Sequence, residues 1–270
     1  MSCDTAWKKV ELARHPQRPY AMDYITRIFD NFIELHGDRV YGDDPAIVGG
    51  LAFLDSRPVT IISNQKGRTF KENVRRNYGM ANPEGYRKAL RLAKEAEKFK
   101  RPVITFIDTS GAYPGMGAEE RGIGEAIAHN LRDFSQLLIP VICIIIGEGG
   151  SGGALGLGVA DKIYMLENAV YSVISPEGCA SILLRDASKA KEAAAMLRIT
   201  SEDLLNFKVI DGVIPEPAQG AHTDPCRTAK TIREILVKEL ENLCALEPED
   251  LVHCRNQKFR NIGFWEGERL

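Results

Sequence analysis

The sequence predicts a layered α/β fold built on an open sheet. Runs such as Val141–Ile146 are wholly apolar and rich in β-branched residues, the pattern of a strand covered on both faces. Such runs alternate with longer segments whose apolar residues recur every three or four positions, which argues helices layered on a sheet. Two of the strand-like runs end in glycine-bearing loops that lead into helices. In an open α/β sheet that edge is where ligands bind.

The elements follow in order. Residues 1–45 are polar and carry Pro16, Pro19 and Pro45. One helix is expected there, over Asp23–Leu35, since Ile25, Ile28, Phe29 and Phe32 share a face. Asp23 or a neighbour caps its start. Ala46–Leu54 and Pro58–Ser63 read as adjacent strands joined by a short turn. A basic loop spans Lys66–Arg76. Glu84–Lys100 reads as a helix with Ala89, Leu92, Ala93, Ala96 and Phe99 on one face. Val103–Asp108 is a strand, and Glu119–Leu138 a long helix with Ile123, Ile127, Leu131, Phe134 and Leu138 inward. After Val141–Ile146, Lys162–Leu166 and Val170–Ile174 are further strands. Ser175-Pro176 and Asp224-Pro225 each place a capping side chain before a proline at the first helical position. The last good helix is Asp224–Leu243. Beyond Leu246 the polar chain is expected to fray or wrap a neighbour. The expected division is a helical N-terminal segment (1–45), an α/β core (46–215) and a helical C-terminal segment (216–270).

The chain has 270 residues, 44% hydrophobic and 27% charged, which suits one large folded domain with appendages. A net charge of −2 gives no global positive field for nucleic acid. No apolar run is long enough to cross a bilayer, and the first residues lack the apolar core of a secretory signal. A soluble cytoplasmic protein is expected. Six cysteines occur without a CxxC pair or zinc-finger spacing, so they read as reduced structural thiols, and no metal is expected in this chain.

Chemistry is expected at the two glycine loops, Asp108–Gly117 and Gly147–Leu155. Glycine brings bare backbone N–H groups close to a ligand. At a helix N-terminus those groups lack intrahelical partners and face the positive end of the dipole. Gly111 with Ala112, and Gly152 and Gly153 with Ala154, are candidate donors to an oxyanion. The bland reading of these glycines is close helix packing. Gly149–Gly153 also fits the G-x-S-x-G pattern around Ser151, and Asp211 with His222 would complete a Ser–Asp–His order. That pattern is weak, because any glycine-packed loop with one serine matches it. The stretch Lys66, Arg68, Arg75 and Arg76 could receive phosphates, such as those of a coenzyme A nucleotide, or be an ordinary solvated face. Glu119 and Glu120 read as helix-dipole partners. Glu148, inside the second loop, is the better candidate for a polar role in positioning that loop.

The runs ARHPQRPY (13–20), GYRKALRLA (85–93), FIDTSGAYPG (106–115), AEERG (118–122), IGEGGSGGAL (146–155) and YSVISPEGCASIL (171–183) closely resemble the α subunit of acetyl-CoA carboxylase carboxyltransferases, from about residue 12 onward. The resemblance implies a crotonase-like fold, a β-β-α superhelix with oxyanion-forming amides. It implies a zinc-ribbon β subunit of the same fold, an α2β2 heterotetramer, and an active site between α and β. Biotin, borne on a biotin carboxyl carrier protein, would enter on the α side, and acetyl-CoA mainly on the β side. Carboxyl transfer from carboxybiotin to acetyl-CoA gives malonyl-CoA, the first committed step of fatty acid biosynthesis. Two oxyanions form in that transfer, so two oxyanion holes are wanted. The resemblance places Gly152, Gly153 and Ala154 at the biotin-side hole, with Gly149, Gly150 and Tyr113 on the same side, and Gly111 and Ala112 in the facing loop. The chain departs from its relatives at Ser110, where proline is common, and in lacking a helical N-terminal extension. Another crotonase-like acyl-CoA enzyme, such as a decarboxylase subunit, is the alternative enzyme. A non-catalytic scaffold is the alternative of another class.

Overall fold

The computed structural model describes residues 3–263. In chain order the elements are α1 (Cys3–Ala13), α2 (Ala21–Ile28), β1 (Asp30–Glu34), β2 (Ile47–Leu54), β3 (Arg57–Asn64), α3 (Phe70–Arg75), α4 (Pro83–Lys98), β4 (Val103–Thr109), α5 (Met116–Glu120), α6 (Ile123–Phe134), β5 (Val141–Gly150), α7 (Ser151–Gly158), β6 (Lys162–Leu166), β7 (Val170–Ser172), α8 (Pro176–Cys179), α9 (Ala190–Leu197), α10 (Ser201–Asn206), β8 (Gly212–Ile214), α11 (Pro225–Leu243) and α12 (Pro248–Arg260). One sheet runs in the order β1-β2-β3-β4-β5-β6-β8, with β7 added to β5. The pairs β1–β2 and β2–β3 are antiparallel, and every later pair is parallel.

The central strands form because their side chains have no polar alternative. All seven residues of β4 and the first seven of β5 are buried. Helices α4, α6 and α7 cover one side of this region, and α2 and α11 pack together elsewhere on the core. Pro83 opens α4, and Ala89, Leu92, Ala93 and Ala96 form its buried face. The cap of α8 is as the sequence suggests, with Ser175 Oγ accepting from the Gly178 amide at 3.1 Å. Asp224 does the same for α11, accepting from the Arg227 amide at 2.9 Å.

Several sequence expectations need correction. The helix expected over Asp23–Leu35 stops at Ile28, because the next residues pair as an edge strand with β2, Ile33 opposite Leu51. Phe29 and Phe32 keep helical spacing although Phe29 only caps α2 and Phe32 lies in β1, so the pattern misleads here. The helix expected over Glu119–Leu138 is two helices. Gly122 adopts φ 78°, a left-handed turn that ends α5 and starts α6. The C-terminal chain does not fray over the described residues. Residues 248–260 form α12, and Arg255 within it is 1% exposed. A further helix, α1, was not expected; Ala6, Val10 and Ala13 bury one face of it against Val170, Ala194 and Ile199. The basic stretch contains α3, closed by a Thr69–Glu72 capping box. The third late strand ends at Ser172, short of Ile174.

Arg255 explains why α12 holds. Its guanidinium pairs with Asp161 at 2.8 Å and donates to the carbonyls of Phe134, Leu137 and Ile139 at 2.8–2.9 Å. Asp161 in turn accepts from the Val141 amide, the first residue of β5. The pair thus pins the start of β5. No helix among the described residues is long and apolar enough to cross a membrane.

Replacing Arg255 by methionine leaves Asp161 buried without its countercharge. We expect a loss of about 3–5 kcal/mol in urea unfolding. The double change Arg255→Met with Asp161→Asn should recover part of it, because no lone charge remains.

Candidate active site

β4 and β5 run in parallel register from Val103 opposite Val141 to Ile107 opposite Ile145. An irregularity then sets Thr109 opposite Gly149. Both glycine loops therefore leave the sheet at neighbouring strand ends. The last part of β5 also pairs with β7, Gly149 opposite Tyr171. β5 passes into α7 without a connecting loop, and Ser151 takes the sharp corner at φ 49°.

The glycines of this corner are required by contact between backbones. A Cβ on Gly150 would lie 2.1 Å from the Ser110 carbonyl oxygen, and one on Gly153 would lie 2.3 Å from the Gly111 carbonyl carbon. Gly149 faces the Tyr171 ring in the same way, at 2.9 Å. Gly152 differs: a Cβ there meets only Ile127, at 3.5 Å, an ordinary contact. The second loop thus lies directly on the first.

The corner also decides which amides are free. Gly150 is the N-cap of α7, so the amides at the start of that helix are the candidate donors on this side. The Ser151 and Gly152 positions reach the surface, while Gly153 and Ala154 are buried. In the facing loop the Gly111 amide donates to Thr109 Oγ1 at 3.2 Å. The Tyr113 amide donates to the Ala81 carbonyl at 3.0 Å. That corrects Gly111 as a donor and leaves Ala112 as the candidate there. The Tyr113 ring lies against Gly115 of its own loop.

Beneath the loops lies a chain of charges. Lys66 Nζ donates to Asp108 Oδ1 at 2.6 Å and lies 3.5 Å from Glu148 Oε2. Asp108 Oδ1 also accepts from the Glu148 amide at 3.0 Å. Arg14 Nε donates to Glu148 at 2.7 Å, and its Nη1 to Glu177 at 2.6 Å. Burial pushes the Glu148 carboxyl up, but Lys66 and Arg14 outweigh it and hold the group below the usual carboxylate range. Burial likewise pushes the Lys66 ammonium down, and Asp108 and Glu148 more than reverse this. Glu148 is thus a positioning group in the second loop.

The basic stretch does not form one open cationic face. Lys66 is committed to two carboxylates. Arg68 pairs with Asp23, donates to the Pro16 and Arg18 carbonyls and stacks over Tyr20. Arg76 donates to the Pro45 carbonyl at 2.7 Å. Arg75 lies exposed on α3. A serine-hydrolase triad is not assembled. Asp211 is taken by the Ile163 amide and Lys258, while His222 stacks on His15 at 3.8 Å. Among the described residues no group of three His, Cys, Asp or Glu could hold a metal. Arg14, Asp108, Thr109 and the Ser151 amide were not singled out from the sequence. For Asp108 a signal existed, as it is the last acidic residue of an otherwise apolar strand. For Arg14 there was none, because its partner lies far along the chain.

Residues 3–263 match the family model described as acetyl co-enzyme A carboxylase carboxyltransferase-like. The chain is 69% identical over 257 residues to the acetyl-coenzyme A carboxylase carboxyl transferase subunit alpha of Treponema denticola, covering 95% of this chain and 84% of that one. To the protein of the same name from Geobacillus kaustophilus it is 59% identical, covering 96% and 80%. Among solved structures it superposes on transcarboxylase 12S with a TM-score of 0.65 at 18% identity, over 96% of this chain and 46% of that one. On the beta subunit of geranyl-CoA carboxylase from P. aeruginosa the TM-score is 0.64 at 17% identity, over 87% and 43%. These likenesses show the fold, which is the crotonase-like α/β architecture expected from the sequence.

Two substitutions test the contact between the loops. Gly153→Ala should destabilise by about 1–3 kcal/mol, since backbone must move to admit the methyl. Gly152→Ala should be neutral, or stabilise by about 0.5–1 kcal/mol because the unfolded chain has less conformational freedom to lose. Thermal unfolding of both variants decides; equal effects would refute the contact at Gly153.

Proposed function

The chain belongs to the acetyl-CoA carboxylase carboxyltransferase family as an alpha subunit, and from that premise we propose how it carries out carboxyl transfer. With a zinc-ribbon β subunit in an α2β2 heterotetramer it moves a carboxyl group to acetyl-CoA, giving malonyl-CoA. Biotin, held on a biotin carboxyl carrier protein, supplies that carboxyl group.

One observation carries the proposal. β5 turns into α7 at Ser151, and the start of that helix lies on the facing loop, where a Cβ on Gly153 would come within 2.6 Å of the Ala112 amide nitrogen. Carboxyl transfer from a ureido nitrogen to the methyl carbon of an acetyl thioester would place negative charge on the ureido oxygen and on the thioester carbonyl oxygen in turn. Preorganised N–H groups stabilise such charge most strongly where water is excluded. A site of this kind needs no side-chain nucleophile, and no catalytic triad is assembled here. The residues fit a ureido oxygen: the donors are backbone amides at a helix N-terminus, and the Ser151 and Gly152 positions there reach the surface. We assign Ser151, Gly152 and Gly153 to the biotin side, with Gly149 and Gly150 shaping the approach. We assign Ala112 to the facing oxygen, with Gly111 as the spacer that presents it. Of the basic stretch, Arg75 is the residue we assign to a nucleotide phosphate, because it is exposed and the others have partners.

The test is malonyl-CoA formation from carboxylated carrier protein and acetyl-CoA, with the β subunit present and this chain added or withheld. Turnover should need both chains. Gly152→Val should lower it by about 100-fold or more, since the branched side chain covers the amides while the fold tolerates a Cβ there. Turnover with β alone, or with this chain alone, would overturn the proposal.

A further inference from the structure

We infer that Lys66, Asp108 and Glu148, with Arg14 behind them, hold the two glycine loops in register for transfer. This makes Lys66 a positioning residue rather than a phosphate ligand. The inference rests on the carboxyl-transfer proposal above.

The geometry is specific. Asp108 is the penultimate residue of β4, two positions before Ser110. Glu148 stands two positions before Gly150. A single atom, Asp108 Oδ1, accepts both the Lys66 ammonium at 2.6 Å and the Glu148 amide at 3.0 Å. It therefore ties the end of β4 to the end of β5 and to the segment following β3. Gly147 exists for this contact, since a Cβ there would lie 2.3 Å from the same oxygen. Gly79, at φ 82°, approaches the Asp108 carbonyl and the Lys66 side chain from the other side. Arg14 then carries the tether outward from Glu148 to Glu177 at the start of α8. Asp108 is 2% exposed, and the Lys66 side chain 14%. In such surroundings hydrogen-bonded charges are stiff, and a partner cannot leave without stranding the other. Drawing Lys66 out to a phosphate would strand Asp108. A shift of the Asp108 carboxylate would move Ser110 against Gly150, and so misplace the Ala112 amide relative to those of α7.

The experiment uses the reconstituted α–β complex with carboxylated carrier protein. Asp108→Asn, Lys66→Met and Lys66→Arg are assayed with acetyl-CoA and with acetyl-pantetheine, which lacks the nucleotide phosphates. Asp108→Asn keeps the side-chain shape and leaves Glu148 facing Lys66, so the complex should still fold, with a lowered melting temperature, and its kcat per folded complex should fall by about 10- to 100-fold, the usual effect of a misplaced catalytic group. The loss should be the same for both thioesters, with KM for acetyl-CoA changed by less than about 3-fold. Lys66→Arg should recover part of the activity lost in Lys66→Met. The inference is overturned if Lys66→Met raises KM for acetyl-CoA, spares kcat and leaves acetyl-pantetheine turnover intact. It is also overturned if kcat per folded complex is unchanged in Asp108→Asn, whether or not Lys66→Met folds. Inactivity of the wild-type complex is a different failure, that of the carboxyl-transfer proposal itself.

Discussion

Two peptide backbones meet where Gly150 and Gly153 press on Ser110, Gly111 and Ala112, and the rest of the site is arranged around that contact. The β5–α7 side cannot carry a Cβ at Gly150 or Gly153, whereas one on Gly111 of the facing loop would meet open space. The contact forces β5 to turn into α7 within one residue, and Ser151 accepts a left-handed φ to do so. The same corner leaves the first amides of α7 without helical partners. Strain, glycine content and donor groups are consequences of one steric fact.

Buried charge keeps that contact in place from both ends of β5. At its start, Arg255 and Asp161 link α12, the carbonyls before the strand and the Val141 amide. Toward its end, Arg18 donates to the Ile146 carbonyl while pairing with Glu216 at 2.6 Å. Beyond that, Asp108 and Lys66 fix Glu148. Buried ion pairs add little net stability against an apolar alternative, because desolvation offsets their attraction. Their value here is geometric: each fixes a backbone group at a strand end, and those ends are where the glycine loops begin.

A backbone-based site also explains why the chain carries few side chains with obvious chemistry. In the proposed site the groups that meet developing charge are amides, which do not titrate in the physiological range and cannot be exchanged by substitution. What the sequence can vary is the support: which residue is small, which carboxylate is tethered, which cation is withheld from solvent. Lys66 illustrates this. Its charge invites a role toward solvent ligands, yet its ammonium is turned inward to two carboxylates.

By itself the sequence determined the layered α/β class, the central strands, the helix starts at Ser175-Pro176 and Asp224-Pro225, the two glycine loops and the family. These are local signals, written in runs of apolar residues, capping pairs and contiguous motifs. It could not determine where Ile28 ends a helix and an edge strand begins, because Phe29 and Phe32 keep helical spacing through a segment whose strand is set by pairing with β2. Nor did it show that Gly122 breaks a helix, that the polar segment after Leu246 folds around Arg255, or which amides are free. Only the tertiary structure decided those. Each depends on a partner distant in the chain: β2 for the edge strand, Asp161 for Arg255, Glu148 for Arg14. An amide's freedom depends likewise on whether Thr109, Ala81 or the turn of α7 reaches it first, and no local pattern records that competition.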